Sequence, residues 1–111
     1  MKKILLTAGL VLALISSCKM ENPLLTESSA PFGAPQFDKI RNEHYLPAFE
    51  AGIAEAKKEI DAIVANQEEP TFENTIEAME YSGQTLDRVA GIFFNLMEAN
   101  TNDDMQQIAE Q

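Results

Sequence analysis

Two apolar seams of the same period run along this chain. Leu46, Phe49, Ile53, Ala56, Ile60 and Ile63 recur at spacings of 3, 4, 3, 4 and 3. Phe72, Ile76, Met79, Gly83, Leu86, Ala90, Phe93 and Met97 follow at 4, 3, 4, 3, 4, 3 and 4. An α-helix turns once in about 3.6 residues, so each series falls on one helix face. Glu50, Glu55, Lys58, Glu59 and Asp61 lie off the first seam, on a face left to water. Proline fits the first position of a helix but not its interior. The first helix is therefore predicted from Pro47 to about Ala65, with Phe37 to Leu46 as a lead-in of one turn. Asn66-Gln67-Glu68-Glu69-Pro70 ends it. Thr71 is a good N-cap and Glu73 suits the first turn, so a second helix is predicted from about Phe72 to Glu98.

Two such helices on a short connection pack antiparallel as a hairpin, which makes the predicted fold all-α. Gly83 costs roughly 1 kcal/mol inside a helix. Its place on the seam is read as letting two helix backbones approach closely. Ile92, Phe93, Phe94, Leu96 and Met97 cover more than half the helix circumference. One partner helix cannot bury such an end, so a second copy or the rest of a larger protein is expected around it. Thr101 or Asn102 caps a third helix with Asp103 and Asp104 in its first turn. No Gly, Pro or basic last turn stops that helix before Gln111, so the chain is expected to be part of a longer one.

The first residues have a different character. Lys2 and Lys3 precede an apolar run from Ile4 to Ile15, the pattern of an export signal over residues 1–17. That run is too short for a transmembrane helix, which takes about 20 residues. Ile15-Ser16-Ser17-Cys18 resembles the bacterial lipobox, which implies cleavage before Cys18 and its lipidation. A thiolate is the nucleophile that such chemistry needs. The competing reading is an ordinary secretory signal with an incidental cysteine. Cys18 is the only cysteine, so no internal disulfide is available. Residues 18–36, with Pro23, Ser28, Ser29, Pro31, Gly33 and Pro35, read as a lipidated tether. Within it, Asn22-Pro23-Leu24-Leu25 is either plain linker or a short extended segment packed on the folded body. Residues 37–111 form the helical region.

Charge and chemistry narrow the function classes. The 111 residues carry a formal net charge of −10, which becomes −12 once Lys2 and Lys3 leave with the signal. A chain so acidic repels nucleic acid. Hydrolytic zinc is usually held by two His of an HExxH motif and a third ligand. This sequence has one histidine, His44, which reads as a helix-start residue. There is no Gly-x-Ser-x-Gly elbow and no phosphate-binding Gly-rich loop. Acidic pairs such as Glu73 and Glu77 are expected to face solvent.

Several short runs carry a resemblance. They are Phe37-Asp38-Lys39-Ile40, Glu43-His44-Tyr45-Leu46-Pro47-Ala48-Phe49 and Pro70-Thr71-Phe72-Glu73-Asn74-Thr75-Ile76. Phe93-Phe94-Asn95-Leu96 and Ala99-Asn100-Thr101-Asn102-Asp103 complete the set. In order and spacing they resemble the N-terminal helical region of the thimet-oligopeptidase-like zinc metallopeptidases, and most of all the peptidyl-dipeptidase branch. The similarity covers about residues 22 to 111. It implies an almost wholly helical parent with a deep channel, and zinc bound far toward the C-terminus. It also implies release of C-terminal dipeptides from short peptides, with these N-terminal helices as part of the channel wall. Asn22-Pro23-Leu24 would then open the enzyme body. No catalytic or zinc residue of the family maps onto a position here, so zinc is expected in the full-length family and not on this chain.

Two functional readings follow. The first is an N-terminal fragment of a lipid-anchored zinc peptidyl-dipeptidase. Its partners are the remainder of the peptidase chain, short peptide substrates, and a bacterial membrane reached through Cys18. The second is a small lipid-anchored helical hairpin that binds a partner through Ile92 to Met97. The residues that carry structure in either are Phe49, Ile53, Ile60, Ile76, Met79, Gly83, Leu86, Phe93 and Met97.

Overall fold

A computed structural model describes residues 21–111. Among them there are helices and turns and no strand. Helix α1 spans Asn42–Ala65. Element α2 opens as a π-helical stretch, Phe72–Glu77, and closes as a short α-helical one, Ala78–Glu80. Helix α3 spans Gln84–Asn100 and α4 spans Asp103–Ala109. A 3-10 turn, Pro31–Gly33, interrupts the leading loop.

Helix α1 begins five residues earlier than Pro47. The cause is local. The Arg41 backbone N–H donates to His44 Nδ1 at 3.0 Å, which serves one of the donors a helix start leaves unpaired. Pro47 then withdraws one bond, the one that would reach the Glu43 carbonyl. Both residues are exposed, so water replaces it. His44 is thus a helix-start residue with its Nδ1 already engaged.

The hairpin forms between α1 and α3. Tyr45 meets Phe93, Gly52 meets Leu86, and Glu59 meets Gly83, so the two helices run antiparallel. The predicted second helix is not continuous, however. Gly83 has φ +77°, a left-handed conformation that a residue with a Cβ adopts only at a cost. Ser82 Oγ and Ser82 N both turn back to the Met79 carbonyl, at 2.7 and 3.2 Å, and end α2. The Gly83 carbonyl then accepts from Asp87 N at 2.9 Å and starts α3. One glycine closes one helix and opens the next.

Seven residues form the core: Leu24, Ile40, Tyr45, Ala48, Val89, Phe93 and Met105. Phe93 is its centre, edge-on to Tyr45 at 4.9 Å, to Phe49 at 5.4 Å and to Phe94 at 5.2 Å between ring centroids. Leu24 belongs to this core, although it falls in the stretch read as tether. Asn22 fixes it there. Its Nδ2 donates to the His44 carbonyl at 2.8 Å, and its Oδ1 accepts from Leu24 N at 3.0 Å. Residues 22–25 make a tight turn on the folded body and not an extended strand, with Leu25 N bonded to the Asn22 carbonyl at 3.0 Å.

Candidate functional site

The surface that matters is a helical packing surface, and it is built from small residues. The face of α1 turned to α3 runs through Tyr45, Ala48, Gly52, Ala56 and Glu59. That is the predicted seam moved by about one position. At Gly52 the backbones come so close that a Cβ would stand 3.0 Å from Leu86 Cα and 3.1 Å from Leu86 N. The close approach predicted at Gly83 therefore occurs at Gly52. A Cβ on Gly83 would meet Ala56 Cβ at an ordinary 3.6 Å. What Gly83 supplies is its φ angle, together with an N–H that donates to Glu59 Oε2 at 2.7 Å.

The move by one position sends several seam residues outward. Phe93 is fully buried, while Leu86, Met97 and Phe49 are half-buried. Ile53 is 55% exposed, and Ile76 and Met79 are 54% and 53% exposed. Ile60 is also on the surface. The reason is geometric. Ala48, Gly52 and Ala56 allow two backbones to meet, and the larger Ile53 and Ile60 then flank the contact without filling it. For Ile76 and Met79, the break at Gly83 carries α2 off the axis of α3, so they no longer continue its buried face.

The Ile92 to Met97 cluster is enclosed more fully than one partner helix allows. Ile92, Leu96 and Met97 pack against the core from α3, with Leu24 and Ile40 arriving from the leading loop and Met105 from α4. Only Phe94 among the cluster's large apolar side chains stays open, at 51% exposure. The predicted patch is therefore a single ring. Cys18 and residues 1–17, read from sequence as an export signal, lie outside the described residues.

The caps expected from sequence are in place. Thr71 Oγ1 accepts from Asn74 N at 3.1 Å while Asn74 Oδ1 accepts from Thr71 N at 2.8 Å. Asn102 Oδ1 accepts from Met105 N at 3.0 Å and from Asn42 Nδ2 at 3.0 Å, which ties the start of α4 to the start of α1. Helix α4 closes at Ala109, so Glu110 and Gln111 lie outside it.

The arrangement offers little to a catalyst. Among the described residues no three His, Cys, Asp or Glu side chains come together in a way that could hold a metal ion. No helix there is long and apolar enough to cross a membrane. Arg88 carries the buried side-chain nitrogen, Nε, that lacks a hydrogen-bond partner among the described residues. Its Nη2 lies 3.4 Å from the Leu24 carbonyl. Burial raises the pKa of the Tyr45 phenol above its ordinary value of 10.0. Of the two readings of Asn22-Pro23-Leu24-Leu25, packing on the folded body is the one observed, as a turn; Gly52 and Arg88 carried no signal in the sequence. The Ser82-Gly83 pair was the available signal for the break, since such pairs punctuate helices.

With this packing surface described, comparison with known proteins places it. Over 90 residues the chain is 48% identical to the dipeptidyl carboxypeptidase of Escherichia coli K12, a match covering 81% of this chain and 13% of the relative. These residues are homologous to part of the dipeptidyl carboxypeptidases. The corresponding enzyme of Salmonella typhimurium LT2 is 46% identical over 89 residues, covering 80% of this chain and 13% of that protein. Oligopeptidase A of Escherichia coli K12 is 28% identical over 92 residues, 83% of this chain and 13% of the relative. The chain thus spans about an eighth of the length of the curated relatives it matches. No protein-family model matches the chain.

Proposed function

We propose that this chain is a non-catalytic helical part of a zinc-dependent peptidyl-dipeptidase that releases C-terminal dipeptides from short peptides. The observation that carries the proposal is the 48% identity to a dipeptidyl carboxypeptidase across most of this chain. The resemblance to zinc metallopeptidases implies that zinc and the reacting groups lie in sequence outside this chain, and no catalytic step is assigned to its residues. His44, the only histidine, serves through Nδ1 as a helix cap. What the chain supplies is a helical wall built from α1 to α4. On this reading the protein is exported and held at a bacterial membrane by lipid on Cys18, as the lipobox-like run implies. Two acyl chains give stable anchoring where one is marginal.

The test is the size and activity of the native product. An antibody against residues 37–111 should detect a membrane-bound band several times the 12.3 kDa of this chain. The same fraction should release dipeptides in a chelator-sensitive manner. Cys18→Ser should move both band and activity out of the membrane fraction. A product near the size of this chain with no associated peptidase would sink the proposal. The second reading, a self-sufficient binding module acting through Ile92 to Met97, is disfavoured because most of that cluster is inside the fold.

A further inference from the structure

Helices α1 and α4 do not meet flush. Between them lie two adjoining hollows of ≈ 440 and ≈ 360 Å³, both lined by Leu46, Ile108 and Gln111. The smaller one continues over Phe49, Ile53 and Phe94. Its floor is therefore apolar, and it contains the two most puzzling residues of the hairpin, since Ile53 and Phe94 are each more than half exposed. Burial of such side chains stabilises a contact, so leaving both in water forgoes that gain. The edges are acidic. Among the described residues, Glu43, Glu50 and Asp104 line the hollows and no Lys or Arg does.

We infer that this acidic-edged groove docks an amphipathic helix of the same, longer polypeptide, with an apolar stripe flanked by Lys or Arg. The inference rests on the reading of the chain as part of a longer peptidase. Two observations select the occupant. The matched relatives are several times longer than this chain. The acidic edge favours a basic flank and disfavours another copy of this chain, whose net charge is −10.

The experiment uses the full-length product in its native membrane extract. A photoreactive benzoylphenylalanine is placed at Phe94, in a second variant at Ile53, and in a control at Val64, which is exposed at the far end of α1. Linked peptides are then identified by mass spectrometry, and dipeptide release is measured in the same samples. The expected result is a link from 94 and 53, but not from 64, to one basic-flanked apolar segment of the same polypeptide outside residues 21–111. Glu50→Lys should lower that yield severalfold. Links to a second copy, to lipid or to nothing, in a long and active product, overturn the docking inference and leave the peptidase reading intact. An unchanged yield in Glu50→Lys overturns the assignment of a basic flank. Absence of any longer product overturns both readings together.

Discussion

Among the described residues two glycines, Gly52 and Gly91, sit inside helices, and the structure predicts opposite signs for the same substitution at each. Gly91 lies on the exposed face of α3, and a Cβ there has no neighbour within 4 Å. Gly91→Ala should gain the full helix-propensity difference of about 0.8–1.0 kcal/mol. Gly52 lies in α1 against α3. Its Ala variant gains the same propensity but places a methyl group 3.0 Å from Leu86 Cα, 3.1 Å from Leu86 N and 3.3 Å from Leu86 Cβ. Carbon atoms rest at about 3.5–4.0 Å, so the overlap is roughly half an ångström or more. Two of the three crowded atoms are backbone, so no side-chain rotation relieves it. Helix α3 must move away, which loosens Val89 and Phe93 in the same helix. Overpacking of this kind costs about 1–3 kcal/mol. The net effect at Gly52 therefore falls between neutral and a loss of about 2 kcal/mol, once the propensity gain is subtracted.

The assay is thermal unfolding of residues 21–111 followed by circular dichroism, at one protein concentration because apolar side chains are exposed. For a chain of this size 1 kcal/mol shifts the midpoint by about 4–8 °C. Gly91→Ala should raise the midpoint by roughly that amount, and Gly52→Ala should fall at least about 4 °C below Gly91→Ala. Leu86→Ala in the Gly52→Ala background should not restore stability, because Leu86 Cα and N remain. Equal increases for both glycine variants would refute the reasoning, since α1 and α3 would then not be in backbone contact at Gly52.

Other outcomes follow from single contacts. Phe93→Ala removes a fully buried ring and three edge-on aromatic contacts, and should cost about 3–5 kcal/mol in denaturant unfolding. Asn22→Ala breaks the bonds that hold Leu24 in the core; it should cost about 1–3 kcal/mol and expose residues 22–36 to protease. Asn102→Ala should cost about 1 kcal/mol and speed amide exchange in α4 first, because its Oδ1 caps Met105 N. Because burial favours the neutral Tyr45 phenol, its folded pKa lies above its unfolded one of about 10. Its contribution is therefore intact below pH 10 and is lost as pH rises through the folded value. Phenolate absorbance in a Tyr81→Phe background should report that loss, and Tyr45→Phe should remove this part of the alkaline instability.

How much of this was legible in the sequence depends on the range over which each signal acts. The caps at Thr71 and Asn102 were legible because a short polar side chain serves a backbone N–H three residues on, entirely within a local segment. The end of α1 at Ala65 and the antiparallel pairing were legible for a similar reason, since a long periodic pattern followed by a short connection leaves few arrangements. The packed face was not. A seam drawn through the largest apolar residues picks Phe49, Ile53 and Ile60, whereas the two helices approach most closely through smaller ones, Ala48 and Gly52, together with Ala56, which belongs to both stripes. Elsewhere the two stripes differ by one residue. Periodicity ranks them by hydrophobicity, and tertiary packing ranks them by how near the backbones can come. The break at Gly83 was missed through the same preference for period over local conformation. These two departures have a common consequence: apolar side chains in excess of what a hairpin can bury, at Ile53 and Phe94 around one groove and at Ile76 and Met79 on α2. A self-contained hairpin of this size would be expected to carry polar residues there, because exposed apolar area invites association. A segment making up about an eighth of its relatives' length has a different requirement, since its outer faces can be core positions of something larger. On the proposed reading, that excess is the surface against which the larger body would pack, and the acidic edge around the groove favours a basic contact there.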